Sequence, residues 1–184
     1  RIRRPDDSSD RRSGSADLAA LISAEPSPDG EVLDRIRVII PTTEGPSIIQ
    51  RITEEDPAVR SVICLNGSSK ALPISRDYDA FVKEPTGIVE RAVQHGSFRI
   101  DVDRAIDEGD SWQLAVFIAH LLKGAGRLAE GDQQADRVLW ATGTVDRYLE
   151  VGPVEKIKDK LDASAEYLGA LTVPFLAAVP TRAK

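Results

Sequence analysis

The sequence predicts a mixed fold of helices and strands, of the α+β or mixed α/β class, and three observations support this prediction. Short runs rich in β-branched residues are interspersed with longer segments of helical spacing. The 184 residues are 41% hydrophobic, which is enough for one real core. The strand and helix patterns do not follow a regular βαβ alternation, which favours the mixed class.

The first 30 residues differ in composition from the rest of the chain. Residues 1–16 mix both charges with Ser and Gly and hold almost no apolar side chain, so they predict a flexible linker. A short helical segment over residues 17–24 is ended by the turn signals of residues 26–30. We therefore divide the chain into a linker or N-terminal extension, residues 1–30, and one folded domain, residues 31–184.

The folded domain contains both strand and helix patterns. Strands are predicted where β-branched residues cluster or alternate, at residues 32–33, 36–40, 59–65, 72–74, 98–102, 136–142 and 171–176. Helices are predicted at residues 47–55, 77–94, 111–122 and 154–168. Pro85 and Gly87 should break the second of these helices. Residues 145–151 are typical of a hairpin or meander.

Composition argues against several function classes. The net charge of −6 gives no electrostatic support for binding nucleic acid. No stretch approaches the roughly 20 apolar residues of a membrane span, and no signal peptide is found. The single cysteine, Cys64, excludes an internal disulfide and lies in an apolar strand pattern, which favours a buried thiol. We expect a cytoplasmic protein, and the lack of any methionine indicates a processed piece of a longer one.

The helix predicted over residues 154–168 carries three lysines. Its apolar stripe consists of Val154, Ile157, Leu161, Ala165 and Leu168. Lys158 borders this stripe, whereas Lys156 and Lys160 are predicted to lie on the solvated side. A lysine at an apolar boundary has a lowered pKa and can act as a base. The alternative is a snorkelling side chain whose ammonium group reaches water.

Ser111 stands at the start of the helix predicted over residues 111–122. A hydroxyl there lies close to unpaired backbone N–H groups and to the positive end of the helix dipole, which can stabilise an oxyanion. In the alternative, Asp110 is an N-cap that forms a capping box with Gln113, and Ser111 is only the first helical residue. A serine and a neutral lysine can form a nucleophile–base pair without histidine.

Three segments resemble the Lon-type proteolytic domain, a family of Ser-Lys peptidases. Gly109-Asp110-Ser111-Trp112-Gln113 is similar to the family's Gly-Pro-Ser-Ala-Gly nucleophile turn. Thr142-Gly143 resembles a Thr-Gly strand end, and the segment from Pro153 to Leu161 resembles a Pro-x-Gly-Gly-x-Lys-x-Lys-Leu helix start. An ungapped match from Thr142 places Lys158 on the catalytic lysine.

The resemblance covers residues 32–180 and implies the fold of this family, which is related to the second domain of ribosomal protein S5. It implies that residues 31–184 form a Lon-like serine endopeptidase with Ser111 as nucleophile, Lys158 as base and Thr142 orienting the amine. Backbone N–H groups around Asp110 and Ser111 would form the oxyanion hole. The implied partners are a peptide or protein substrate, an ATPase or sensor domain in the same polypeptide, and further copies of the chain. Neither a metal nor another cofactor is implied.

The chain also departs from the family pattern. Asp110 replaces the proline, Trp112 and Gln113 replace small residues, and Glu155-Lys156 replaces the Gly-Gly pair. We expect Trp112 to crowd the substrate cleft and Asp110 to place a carboxylate close to the oxyanion region. Two alternatives to an active peptidase therefore stay open: a weak or inactive module that docks other proteins, and a self-processing domain of a larger precursor. No Walker-type phosphate loop is present, so the chain holds no ATPase of its own.

Overall fold

Six strands among the described residues form one mixed sheet, and a short hairpin lies apart from it. The computed structural model describes residues 34–83 and 87–180. The predicted linker over residues 1–30 and the first predicted strand, residues 32–33, lie outside the described residues. The strands are β1 (Ile36–Thr42), β2 (Gly45–Glu54), β3 (Val62–Leu65), β4 (Phe98–Val102), β5 (Arg137–Ala141), β6 (Thr144–Val145), β7 (Val151–Gly152) and β8 (Phe175–Ala178). The helices are α1 (Ser75–Val82), α2 (Ile88–Val93), α3 (Gln113–Gly124) and α4 (Ile157–Gly169).

The strands of the sheet lie in the order β3-β4-β2-β1-β5-β8. Strand β2 is antiparallel to both of its neighbours, β1 and β4. The other three neighbouring pairs are parallel. Strands β6 and β7 form the separate antiparallel hairpin. This architecture confirms the predicted mixed α/β class.

Helices cover both faces of the sheet. Ile39 of β1 lies beside Trp140 of β5 in the parallel register, and the two side chains are buried with Val138 under residues of α4. Successive side chains of a strand point to opposite faces, so Val38 and Leu139 fall on the other face. Helix α3 packs against β1 and β5 there. The C-terminal end of β5 and the N-terminal ends of α3 and α4 thereby lie close together.

A buried aromatic cluster joins α1, α3 and β4. It consists of Tyr78, Phe81, Phe98, Trp112 and His120, with the rings meeting edge to face or stacked. Burial lowers the pKa of His120 to about 3, so its ring is neutral. Burial also raises the pKa of Tyr78, whose hydroxyl is hydrogen-bonded to Nε2 of His120 at 2.9 Å. The two groups satisfy each other inside the core.

The helix predicted over residues 47–55 is wrong, because this segment is the long strand β2. A β-bulge interrupts its pairing with β4 between Ile49 and Arg51. The extra residue shifts the alternation by one position, so Ile49 and Ile52 are both buried although they are three residues apart. That spacing imitates one face of a helix and explains the error.

Residues 72–74 do not form the predicted strand, but the other predicted elements agree more closely with the structure. The helix predicted over residues 77–94 is interrupted as expected, with α1 ending at Val82 and α2 beginning after Gly87, whose φ is +56°. The hairpin predicted over residues 145–151 corresponds to β6 and β7. The last strand begins at Phe175, four residues later than predicted. Within the described part of the chain, no helix has the length and apolar character needed to span a bilayer.

Candidate active site

Ser111 lies in the turn that connects β4 to α3. Gly109 precedes it with a φ of +94°, a backbone conformation that glycine adopts without strain. The carbonyl oxygen of Ser111 accepts hydrogen bonds from the backbone N–H of Gly143, at 2.9 Å, and from the hydroxyl of Thr142, at 3.3 Å. The N–H of Leu114 donates in return to the carbonyl of Gly143, at 3.0 Å. The end of β5 therefore holds the turn in place from both sides.

Lys160 reaches Ser111 from the first turn of α4. Its Nζ lies 2.6 Å from Oγ of Ser111 and 3.4 Å from Oγ1 of Thr142, the second being a long contact. The side chain of Lys160 is only 4% exposed. The structure thus brings together a serine, a threonine and a buried lysine.

A chain of buried hydrogen bonds fixes the backbone of α4 at this lysine. The indole N–H of Trp140 donates to Oγ of Ser164, at 3.0 Å. The Ser164 hydroxyl donates in turn to the carbonyl oxygen of Lys160, at 2.7 Å. Because Trp140 belongs to β5, the helix that carries Lys160 is tied to the strand that precedes Thr142. The backbone position of Lys160 is therefore fixed by a helix and a strand together.

The surroundings of Lys160 disfavour its charged form. Burial is the largest influence and lowers the pKa of the amine. The carboxylate of Asp107 acts in the opposite direction, and the nearby ammonium of Lys156 lowers the pKa further. Asp107 is itself held by the backbone N–H of Thr43, at 2.8 Å. A lowered pKa makes the neutral amine, which can accept a proton, more accessible near neutral pH.

The structure does not bring Lys158 to Ser111, and this corrects the placement predicted from helical phase. The side chain of Lys158 is 89% exposed, and its Nζ lies 3.7 Å from Asp162 one turn further along α4. Leu161, assigned to the buried stripe, is 45% exposed. The face of α4 that meets the sheet instead holds Ile157, Lys160, Ser164, Tyr167 and Leu168. The lysine at the site is two residues further along the chain than the ungapped match placed it.

One expectation about the nucleophile turn is corrected, and the capping box of the alternative interpretation is not formed. The Trp112 side chain is fully buried in the aromatic cluster, so it does not crowd the cleft. No side-chain capping bond forms at the start of α3, because Oε1 of Gln113 accepts instead from the backbone N–H of Val145, at 2.9 Å. Asp110 does lie at the cleft, as the sequence predicted. Lys156, which replaces a glycine of the family pattern, adopts a φ of +56°.

Ser111 and Lys160 open onto a surface cleft of about 560 Å³. Its walls come from the turn before α3, the hairpin strand β6 and the segment that leads into α4. Asp107, Glu108, Asp110 and Glu155 supply carboxylates to the lining. A cleft of this size can admit a chain segment to the serine hydroxyl.

Fold and site together define a mixed α/β protein in which a buried lysine amine is hydrogen-bonded to a serine hydroxyl in a surface cleft. No protein-family model matches this chain, and no curated protein matches it either.

Proposed function

We propose that this chain is a Lon-like serine peptidase domain in which Ser111 is the nucleophile and Lys160 is the general base. One observation carries the proposal: the buried amine of Lys160 lies 2.6 Å from the hydroxyl oxygen of Ser111. A nucleophile and its base must lie within this distance for proton transfer. The sequence resemblance points to the same chemistry and, with the mixed sheet, to the Lon proteolytic-domain fold.

The reaction would proceed through an acyl-enzyme. Neutral Lys160 accepts the hydroxyl proton of Ser111 while Oγ attacks the carbonyl carbon of a peptide bond. The tetrahedral intermediate collapses, the C–N bond breaks, and the lysine ammonium gives its proton to the leaving amine. Water then attacks the ester with Lys160 again as base, which releases the new carboxyl end and restores Ser111.

The turn before α3 offers donors for the developing oxyanion. Among the described residues, no acceptor is bound by the backbone N–H groups of Asp110 and Ser111. They lie at the positive end of the α3 dipole. Donors that are held in place before the reaction are often the largest contribution to catalysis of acyl transfer.

Thr142 would position the base rather than react. Its hydroxyl donates to the carbonyl of Ser111, which turns a lone pair of Oγ1 toward Nζ of Lys160. The ammonium form of Lys160 can donate to that lone pair after it has taken the proton. Thr142 therefore contacts both the serine residue that gives up the proton and the lysine amine that accepts it.

A module that only docks other proteins is not favoured by this geometry. A docking module with a blocked groove would have Trp112 in the groove and Lys158 in an ion pair with Asp110 or Glu155. Trp112 lies in the core instead, and Lys158 pairs with Asp162. The amine that does reach the site makes its bonds to hydroxyl groups.

Labelling and cleavage by the purified chain test the proposal. A fluorophosphonate probe should modify Ser111, as located by mass spectrometry, and internally quenched peptides should be cleaved. The Ser111→Ala variant should lose both reactions while keeping its unfolding midpoint. Cleavage that persists in Ser111→Ala, or no cleavage and no labelling by the unmodified chain, would refute the peptidase.

The rate of cleavage should also depend on pH through Lys160. Because the folded pKa of this amine is lowered, the reactive neutral form appears at lower pH than for an ordinary lysine of pKa about 10.4. The rate of hydrolysis should increase with pH and then level off. The midpoint of the increase should lie below the pKa of an ordinary lysine. Between the lowered pKa of folded Lys160 and its ordinary pKa, the unfolded chain binds more protons than the folded chain. The free energy of unfolding should therefore also rise with pH in this range. A rate that falls across this window would contradict a lysine base.

A further inference from the structure

A second cavity lies directly beside the nucleophile turn. It has a volume of about 520 Å³ and apolar walls formed by Ala80, Phe81, Ile88 and Val145. Asp110, the residue before Ser111, lines both this cavity and the cleft that holds Ser111. On the opposite wall, Thr144 of β6 lines the cleft while its neighbour Val145 lines the second cavity. The two spaces therefore adjoin along both walls.

The wall between the nucleophile turn and the hairpin is firmly built. The amide oxygen of Gln113 accepts from the backbone N–H of Val145, which ties β6 to the start of α3. Gly143 packs so closely against Leu114 that an added Cβ would lie 3.1 Å from Cδ2 of that leucine. The cavity is thus bounded by the same elements that hold Ser111, so a side chain seated in it would be fixed relative to the hydroxyl.

The edge of this cavity is acidic. Among the lining residues that the structure describes, three are anionic, Asp77, Asp110 and Asp146, and one is cationic, Arg147, which gives a net charge of −2. The Arg147 guanidinium interacts with the neighbouring residue of its own loop. It lies 4.7 Å from the ring centre of Tyr148 and donates to the Tyr148 hydroxyl at 2.6 Å. Within the part of the chain that the structure describes, the carboxylates of Asp77 and Asp110 make no hydrogen bond or ion pair.

We infer that this cavity selects a lysine or arginine side chain next to the bond that Ser111 cuts, an inference that rests on the proposed peptidase function. These two side chains combine an apolar stem with a cationic head. The stem matches the walls at Phe81, Ile88 and Val145, and the head matches the carboxylates of Asp77 and Asp110 at the edge. A purely apolar side chain would leave the carboxylates without a partner, and an acidic one would be repelled by them.

Matched peptides test this specificity. Internally quenched peptides that differ at one position flanking the scissile bond should be cleaved with kcat/KM about 10-fold higher for lysine than for norleucine, and about 100-fold higher than for glutamate. Asp77→Asn should reduce the lysine rate about 5-fold to 10-fold and so remove most of the preference for lysine over norleucine. The exposed Asp132 lines neither cavity, so Asp132→Asn is the control for the same change of net charge.

Binding to an inactive chain separates this inference from the proposed function. In the Ser111→Ala background, fluorescence anisotropy should show tighter binding of the lysine peptide than of the norleucine peptide, with the difference lost in Asp77→Asn. Ser111-dependent cleavage without a basic preference would overturn the cavity's role and leave the peptidase intact. Selective binding with no cleavage by the unmodified chain would overturn the peptidase and leave the cavity's role intact. Neither cleavage nor selective binding would overturn both.

Discussion

Replacing Lys160 by methionine should reduce Ser111-dependent peptide hydrolysis by at least about 10³-fold. Methionine fills a similar volume in the buried site but has no group that can accept the serine proton. The substitution removes a buried amine rather than a core hydrocarbon, so the folded state should be retained. Single-turnover cleavage rates, together with unfolding midpoints of the two chains, measure the two effects separately.

Lys158→Met is the matched control for this prediction. It removes the same charge from the same helix, two residues away, at a side chain that points into solvent. Its pairing with Asp162 is an exposed contact between helical neighbours and contributes little to stability. Cleavage by Lys158→Met should therefore stay within about twofold of the unmodified chain. A large loss in Lys158→Met with little loss in Lys160→Met would show that the ungapped match had named the right lysine.

The error over these lysines has a physical origin. Helical periodicity assumes that the buried face of a helix is apolar, but α4 turns Lys160 and Ser164 inward and leaves Leu161 partly exposed. A buried lysine is costly unless it is hydrogen-bonded, so stability alone would not place it there. The pattern thus fails at the residue with a proposed catalytic role. The four-residue spacing of Lys160 and Ser164, continued by Tyr167 and Leu168, was the available signal.

The other two residues of the candidate site were predicted in different ways. Ser111 was predicted from its turn and the apolar helix after it, and Thr142 from the resemblance to the Lon-type pattern; the structure brings both to the same amine. The turn at Ser111 depends on short-range chemistry that a sequence displays directly. By contrast, the pairing of β2 depends on a bulge opposite a distant strand. Long-range register of this kind leaves only a misleading local pattern.

The direction of the Trp112 side chain is a second case that the sequence left undecided. A large aromatic residue directly after the nucleophile could line the cleft or enter the core. The structure places it in the core, edge to face with Tyr78 and Phe81. Its indole N–H has no hydrogen-bond partner among the described residues, which is unusual for a buried tryptophan.

Replacing Trp112 by alanine should therefore lower the free energy of unfolding by about 3–5 kcal/mol, because it leaves a large cavity among α1, α3 and β4. Trp112→Phe should cost less than about 1.5 kcal/mol, since the smaller ring keeps most contacts and removes the unpaired N–H. Denaturant unfolding of the three chains measures both differences. If Trp112 lined the cleft instead, the alanine variant would unfold within about 0.5 kcal/mol of the unmodified chain and would cleave peptides faster. The two outcomes differ several-fold in the change of unfolding free energy, so this pair of variants decides which side of the nucleophile turn Trp112 occupies.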